Sequence, residues 1–239
     1  MSDEMQPINV KRRSPAYRLN AVAGARFTAY ADTALVTDYG DPGAEETAAR
    51  QLGLCDLSVL PRLGFKGAGT LDWLASRNVA LPAAVNLASP QADGATAAQL
   101  GPEEILVLSD IAGGSGLAER LESDWHSSEL TPRGFPLPRR ETHAWFRISG
   151  ECSAAMFAKM SAIDLRPHKF DRHQVAQTSI ARATGIIIRN DIGSLLAYDL
   201  LVDWTMADYY VHVLLDAMAE FEGRLIGHRA LCALADTTA

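Results

Sequence analysis

The densest run of residues able to do chemistry is Asp164-Leu165-Arg166-Pro167-His168-Lys169-Phe170-Asp171-Arg172-His173. Two histidines with a carboxylate between them are metal-ligand types. A spacing of i, i+5, however, does not bring both imidazoles to one helix face, and no third ligand is spaced to help. Arg166, Lys169 and Arg172 fall within seven residues, which suits an exposed loop meeting an acidic partner surface, with a plain solvated loop as the alternative. Lys11-Arg12-Arg13, ahead of Ser14-Pro15, reads as a tail that docks on another chain, because an arm without its own core gains order only by binding. Cys55-Asp56 sets a nucleophile beside a carboxylate, yet a working cysteine needs a base close in space. A buried structural cysteine is the simpler reading. Asp203-Trp204 sets a carboxylate beside an aromatic platform, as a general base would require, against the plainer role of a helix N-cap for Asp203 or Thr205. Gly113-Gly114-Ser115-Gly116 offers backbone amides to an anion ahead of a helix, or simply turns the chain.

Strong catalytic signatures are missing. The sequence holds no G-x-S-x-G, no G-x-x-x-x-G-K-[ST], no H-E-x-x-H and no G-x-G-x-x-G. The 239 residues are 48% hydrophobic and 21% charged, ordinary globular values that exclude disorder as a description of the whole. A net charge of -7 argues against a protein that tracks a nucleic-acid backbone. The acidic start and the absence of an apolar segment after it read against export. Asp199 and Asp203 interrupt the most apolar stretch, 195–204, so no membrane helix is expected. Three cysteines in no C-x-x-C spacing fit a reducing compartment, and the cytoplasm is the expected location.

The elements that must position these residues are legible in period and punctuation. Residues 1–45 are polar and broken by turns, with one short edge strand around Phe27 to Ala31, and read as an extended arm. Residues 46–130 and 131–239 read as two α+β halves. Glu45 to Leu52 is helix-like, with Gly53 as a left-handed cap. Arg62 to Lys66 alternates, stops at Gly67 and passes into a helix capped by Thr70. The same grammar returns at Trp145 to Gly150 and Ser153 to Met160, displaced by 83 residues. A second echo joins the strand 104–110 and its following helix to 197–203 and the helix 207–221, displaced by 93 residues. Strands 185–189 and 195–202 flank a turn-rich spacer and read as a hairpin. On the helix 207–221, Tyr210, Val213, Leu214, Ala217 and Phe221 form the stripe expected to be core. Two matched strand-helix units in one order indicate an internal duplication.

These residues also carry a family likeness. Phe146-Arg-Ile-Ser-Gly150, Ala154-Ala-Met-Phe157, Ile163-Asp-Leu-Arg-Pro-His-Lys-Phe170 and Leu214-Leu-Asp-Ala-Met-Ala-Glu-Phe221 resemble the gamma subunit of heterotetrameric sarcosine oxidase. Arg12-Arg13-Ser14-Pro15 is similar to that subunit's N-terminal region, and related small subunits occur in N-methylglutamate dehydrogenase. Leu52 to Ser58, continuing to Gly67, is similar to the opening of the aminomethyltransferase (glycine cleavage T protein) superfamily.

The resemblance implies the duplicated α+β aminomethyltransferase-like fold without its C-terminal barrel. It implies a non-catalytic subunit packed on the folate-binding large subunit of a complex that oxidatively demethylates sarcosine or N-methylglutamate. FAD, FMN, NAD and tetrahydrofolate would then lie in partner chains, the larger alpha and beta flavoprotein subunits, with a small delta subunit completing the assembly and neither nucleic acid nor membrane as partner. No catalytic, cofactor-binding or metal residue carries over. The expected partner interface is Lys11, Arg12, Arg13, Arg166, His168, Lys169 and Phe170. The alternative is a self-sufficient folate-binding or aminomethyl-transfer module that uses an acidic residue such as Asp164 or Asp203.

Overall fold

The alternating run at 62–66 and its echo at 143–149 are both strands in the computed structural model, which describes residues 5–128 and 133–236. The first strands are β1 (Arg26–Tyr30), β2 (Thr33–Asp38), β3 (Gly53–Asp56), β4 (Arg62–Lys66), β5 (Ala88–Pro90), β6 (Thr96–Gly101) and β7 (Glu104–Leu108). They are followed by β8 (Phe135–Leu137), β9 (His143–Ser149), β10 (Val175–Ile180), β11 (Ala183–Arg189), β12 (Ala197–Asp203) and β13 (Arg224–Leu225). The helices are α1 (Tyr17–Val22), α2 (Pro42–Leu52), α3 (Thr70–Ser76), α4 (Leu117–Ser127), α5 (Arg139–Thr142), α6 (Ser153–Phe157), α7 (Ala207–Met218) and α8 (His228–Asp236).

Two units result. One comprises residues 1–59, 143–172 and 178–239, the other residues 60–142 and 173–177. Strand pairing supplies the reason the units interleave in sequence. β3, just ahead of β4 in sequence, pairs instead with β9, and β8, just ahead of β9, pairs instead with β4. Each sheet is completed by the strand that precedes the other repeat.

The smaller unit is a five-stranded antiparallel sheet in the order β5-β6-β7-β4-β8. Period-two alternation turns Leu63 and Phe65 of β4, Ile105 and Val107 of β7, and Ala97 of β6 to one face, where Trp73 and Leu74 of α3 and Leu121 and Trp125 of α4 complete a core. Trp73 and Trp125 meet edge to face at 4.8 Å, and Phe65 lies 5.3 and 5.2 Å from them. Thr70 begins α3 as its first helical residue, and the expected capping position falls to Gly69 at φ +79. Thr70 is fully buried, and its hydroxyl has no hydrogen-bond partner among the described residues.

The larger unit is a six-stranded sheet in the order β10-β11-β12-β9-β3-β13. The β11–β12 hairpin is antiparallel, as the spacer implied. On α7 the buried stripe is Ala207, Tyr210, Val211, Leu214, Ala217 and Met218, so Val211 and Met218 replace the expected Val213 and Phe221. Gly53 is extended, at φ -114, and opens β3 instead of capping α2 to the left. A side chain there would meet Ile226 Cδ1 at 2.6 Å.

The segment read as an arm is built into this unit. Ala34, Leu35 and Val36 of β2 are each 3% exposed. The buried Asp56 accepts from Ser14 Oγ, from Asn20 Nδ2 at 2.8 Å and from the Ser58 amide at 3.0 Å, so the carboxylate ties residues 14–20 to β3. Glu45 likewise accepts from the amides of Tyr39 at 2.6 Å and Gly227 at 2.7 Å.

Register proves the duplication. Arg62 faces Leu108 across β4 and β7, and Trp145 faces Leu201 across β9 and β12, so displacements of 83 and 93 hold together in one ladder. The five-strand orders correspond as well: β10-β11-β12-β9-β3 repeats β5-β6-β7-β4-β8. Both first strands end on a glycine at positive φ, +121 at Gly67 and +112 at Gly150. A Cβ would strike the backbone of Gly134 at 2.6 Å in the first case and of Gln51 at 2.4 Å in the second. Each of these crossing segments leads into the strand that completes the sheet.

Gly150→Ala is therefore expected to cost more than about 3 kcal/mol, since the backbone itself must shift, whereas Gly24→Ala, at positive φ in open space, costs about 1 kcal/mol. Urea unfolding midpoints of the two variants check the contrast.

Candidate functional site

In the larger unit, the register between β9 and β12 sets Arg147 directly opposite Asp199. Both are buried, at 2% and 0% exposure. Arg147 NH1 donates to Asp199 Oδ1 at 2.8 Å, Trp145 Nε1 donates to the same oxygen at 2.9 Å, and Asn190 Nδ2 donates to Oδ2 at 3.0 Å. Arg147 NH2 also donates to the Asn190 carbonyl. A buried carboxylate survives when its lone pairs and its charge are both answered, as here. With every oxygen so engaged, Asp199 holds structure and is no base for a substrate. Among the described residues, Arg147 Nε and the fully buried Ser149 Oγ on the same face have no hydrogen-bond partner.

From Asn190 the network runs outward to the loop that holds the basic constellation. Arg189 makes a two-pronged pair with Asp191, at 3.1 and 2.8 Å. Its NH1 donates to the carbonyls of Pro167 at 2.9 Å and Phe170 at 2.7 Å. Tyr198 Oη donates to the Leu165 carbonyl, and Arg172 donates to the Asp191 carbonyl at 3.1 Å. Burial pushes the Tyr198 hydroxyl well above the usual phenol range, which keeps it a proton donor. The loop is thus fastened at two buried anchors, Leu165 and Phe170, and presents Pro167, His168 and Lys169 between them.

The nominated interface residues separate by environment. Phe170 is 6% exposed and packs toward Tyr198, so its ring is an anchor rather than contact surface. Arg166 is exposed but grips Asp164 through two bonds, at 2.9 and 2.6 Å, and those bonds hold the Asp164 carboxyl well below its ordinary range. His168 and Lys169 are exposed. Lys11 is exposed, Arg12 lies 3.8 Å from Asp32, and Arg13 stacks on Tyr17 at 4.9 Å.

The other chemical candidates resolve into local roles. Asp203 accepts from Thr205 N at 2.8 Å and from Thr205 Oγ1 at 2.5 Å, which lowers its pKa and makes it an N-cap. Cys55 is fully buried, and desolvation pushes its thiol up, the opposite of what a nucleophile needs. In the smaller unit, the amide of Ser115 goes to Asp110 Oδ1 at 2.7 Å, and Ser115 Oγ donates to Asp93 at 2.8 Å, so two carboxylates occupy the place an anion would take. Among the described residues, no group of three His, Cys, Asp or Glu could hold a metal ion, and no helix is long and apolar enough to cross a membrane.

Sequence reasoning missed the Arg147–Asp199 pair and the fastening role of Arg189. One signal existed: an opposite charge sits in the middle of each of two strongly apolar strands. The smaller unit uses the equivalent ladder positions differently. There Gly64 faces Leu106, and the Arg139 side chain fills the room above the glycine, where a Cβ would meet Arg139 Nε at 2.9 Å. Arg139 pairs with Glu104, and Arg62 donates to the carbonyls of Leu60, Arg139 and Arg140.

Asp199→Leu leaves the Arg147 charge buried alone and is expected to destabilise by about 3–5 kcal/mol. Adding Arg147→Met to that variant should recover at least half of the loss, as read from denaturant unfolding.

No protein-family model matches the chain, and no curated protein matches its sequence. Solved structures do match. A chain of the heterotetrameric sarcosine oxidase from Corynebacterium sp. U-96, in complex with pyrrole 2-carboxylate, aligns with a TM-score of 0.65 and 24% identity, over 89% of this chain and 97% of that one. The glycine cleavage system aminomethyltransferase T from Bartonella henselae aligns with a TM-score of 0.72 and 17% identity, over 94% of this chain and 62% of that one. This chain therefore spans less than two thirds of the aminomethyltransferase, and its described residues form open sheets with no closed barrel. It has the aminomethyltransferase-like fold.

Proposed function

We propose that this chain is a non-catalytic, gamma-type subunit of a heterotetrameric flavoenzyme that oxidatively demethylates an N-methyl amino acid, sarcosine or N-methylglutamate. The observation that carries this reading is a match that covers 89% of this chain and 97% of a chain of a heterotetrameric sarcosine oxidase. The commitment of Asp164, Asp199 and Asp203 to local partners supports it, because a self-sufficient transfer enzyme needs a carboxylate that a substrate can reach.

On this reading the flavins, the NAD and the tetrahydrofolate belong to the partner chains. The amine is oxidised there to an imine, whose one-carbon unit passes to folate. This subunit covers apolar surface of the large cytoplasmic partner and holds its folate domain in place. The 164–172 loop is suited to such docking: its backbone is fastened before binding, so little ordering entropy opposes the contact. Lys169, an exposed cation in it outside the Asp164–Arg166 pair, suits an acidic partner surface. An interface well above ~1,600 Å2 is expected, as in obligate assemblies.

One observation favours a second reading. The higher TM-score belongs to the aminomethyltransferase, a fold-level likeness that keeps a self-sufficient folate-binding module in play. Co-expression of the tagged chain with its co-encoded flavoprotein chains separates the two. The subunit reading expects two larger chains in the eluate with a yellow flavin spectrum, and at least a tenfold loss of recovery in Lys169→Glu, about 1.4 kcal/mol. A colourless chain recovered alone that binds tetrahydrofolate would overturn it.

A further inference from the structure

The two repeats treat the outer edge of their shared sheet differently. By register, Phe135 and Pro136, which face Lys66 and Phe65 across β8 and β4, correspond to Gly53 and Leu54, which face Ser149 and Ile148 across β3 and β9. In the larger unit a sixth strand closes that edge. β13 lies parallel to β3, the Leu54 carbonyl accepts from the Ile226 amide at 3.0 Å, and the fully buried Ile226 packs over Gly53. In the smaller unit β8 is the last strand, and among the described residues no strand pairs with its outer side. Phe135 stands there 72% exposed, beside a mostly apolar cavity of about 560 Å3 that Lys66 and the 101–104 turn complete. Lys66 pairs with Glu104 at 2.9 Å, and Glu103 is exposed at the rim.

A large apolar side chain held at the rim of an apolar cavity marks a contact surface. What fits it follows from the edge. Pro136 corresponds to Leu54, so its carbonyl is the acceptor on the open side, and it has no N–H to give. Two copies of this chain paired edge to edge at Pro136 would set one carbonyl against the other, so the occupant is a different chain that supplies the donor. We propose that the edge formed by Phe135 and Pro136 docks an extended apolar segment of a larger partner subunit, an assignment that rests on the subunit reading. A backbone N–H of that segment donates to the Pro136 carbonyl, as Ile226 does to Leu54, and a branched aliphatic side chain packs between the Phe135 ring and the 101–104 turn. Because Phe135 stands where the larger unit has a glycine, the added segment rests on the ring instead of on the backbone beneath it. A basic residue close to the aliphatic one, as Arg224 is to Ile226 in the chain's own sixth strand, suits Glu103.

The test uses the full chain, with photo-reactive benzoylphenylalanine in place of Phe135, co-expressed with its co-encoded flavoprotein chains. Irradiation should join position 135 to a segment of a larger chain that carries a branched aliphatic residue, as read by peptide mass mapping. Phe135→Ser should cut recovery of the yellow complex at least about tenfold, with an unchanged urea midpoint because the ring is exposed. Val22→Ser, at a site 88% exposed in the larger unit, should recover it as wild type does. A yellow complex in which position 135 links to nothing, or to a second copy of this chain, overturns the docking site and leaves the subunit reading standing. Wild-type recovery with Phe135→Ser does the same. A colourless chain recovered alone removes both.

Discussion

A buried arginine facing a buried aspartate across two central strands is the constraint on which the larger unit depends. Neither Arg147 nor Asp199 tolerates burial alone, so the β9–β12 ladder has one register in which both charges are answered. A slip by one residue would turn each of them to the opposite face. The same pair recruits the Trp145 indole and the Asn190 amide, and through the residues on either side of Asn190 it reaches the 164–172 loop. Packing in the middle of the sheet thereby determines how a surface loop is presented.

The two halves show how a duplicated backbone can keep its geometry while its chemistry diverges. Ladder register, strand order and the crossing glycines Gly67 and Gly150 are shared. The positions occupied by Arg147 and Asp199 in one half are Gly64 and Leu106 in the other, where an arginine arrives instead from α5. Backbone crossings resist change because no side chain fits at 2.4–2.6 Å from a neighbouring main chain. A polar pair inside a sheet can be lost or moved when another side chain fills the space.

The carboxylates that sequence alone nominated for chemistry share one fate. Asp164, Asp203 and Asp56 each serve the chain's own hydroxyls, amides or guanidinium groups. A carboxylate whose lone pairs are filled from within its own fold fixes geometry and does not turn over substrate.

The matched strand-helix units and the duplication were legible in the amino-acid sequence, because period-two alternation, helical spacing and glycine stops are local properties. The hairpin at 185–202 and the paired displacements of 83 and 93 residues belong to this class. The helix face of α7 was read only in part, since a stripe near an element's end depends on what it meets. Tertiary structure alone decided that β3 and β8 join the sheet of the other repeat, that Phe170 is an anchor, and that residues 14–38 are built into a unit instead of hanging from it. Those outcomes rest on partners dozens of residues apart, such as Arg147 with Asp199 and Ser14 with Asp56. No local pattern specifies which distant group will answer a buried charge; only the folded register brings the two together.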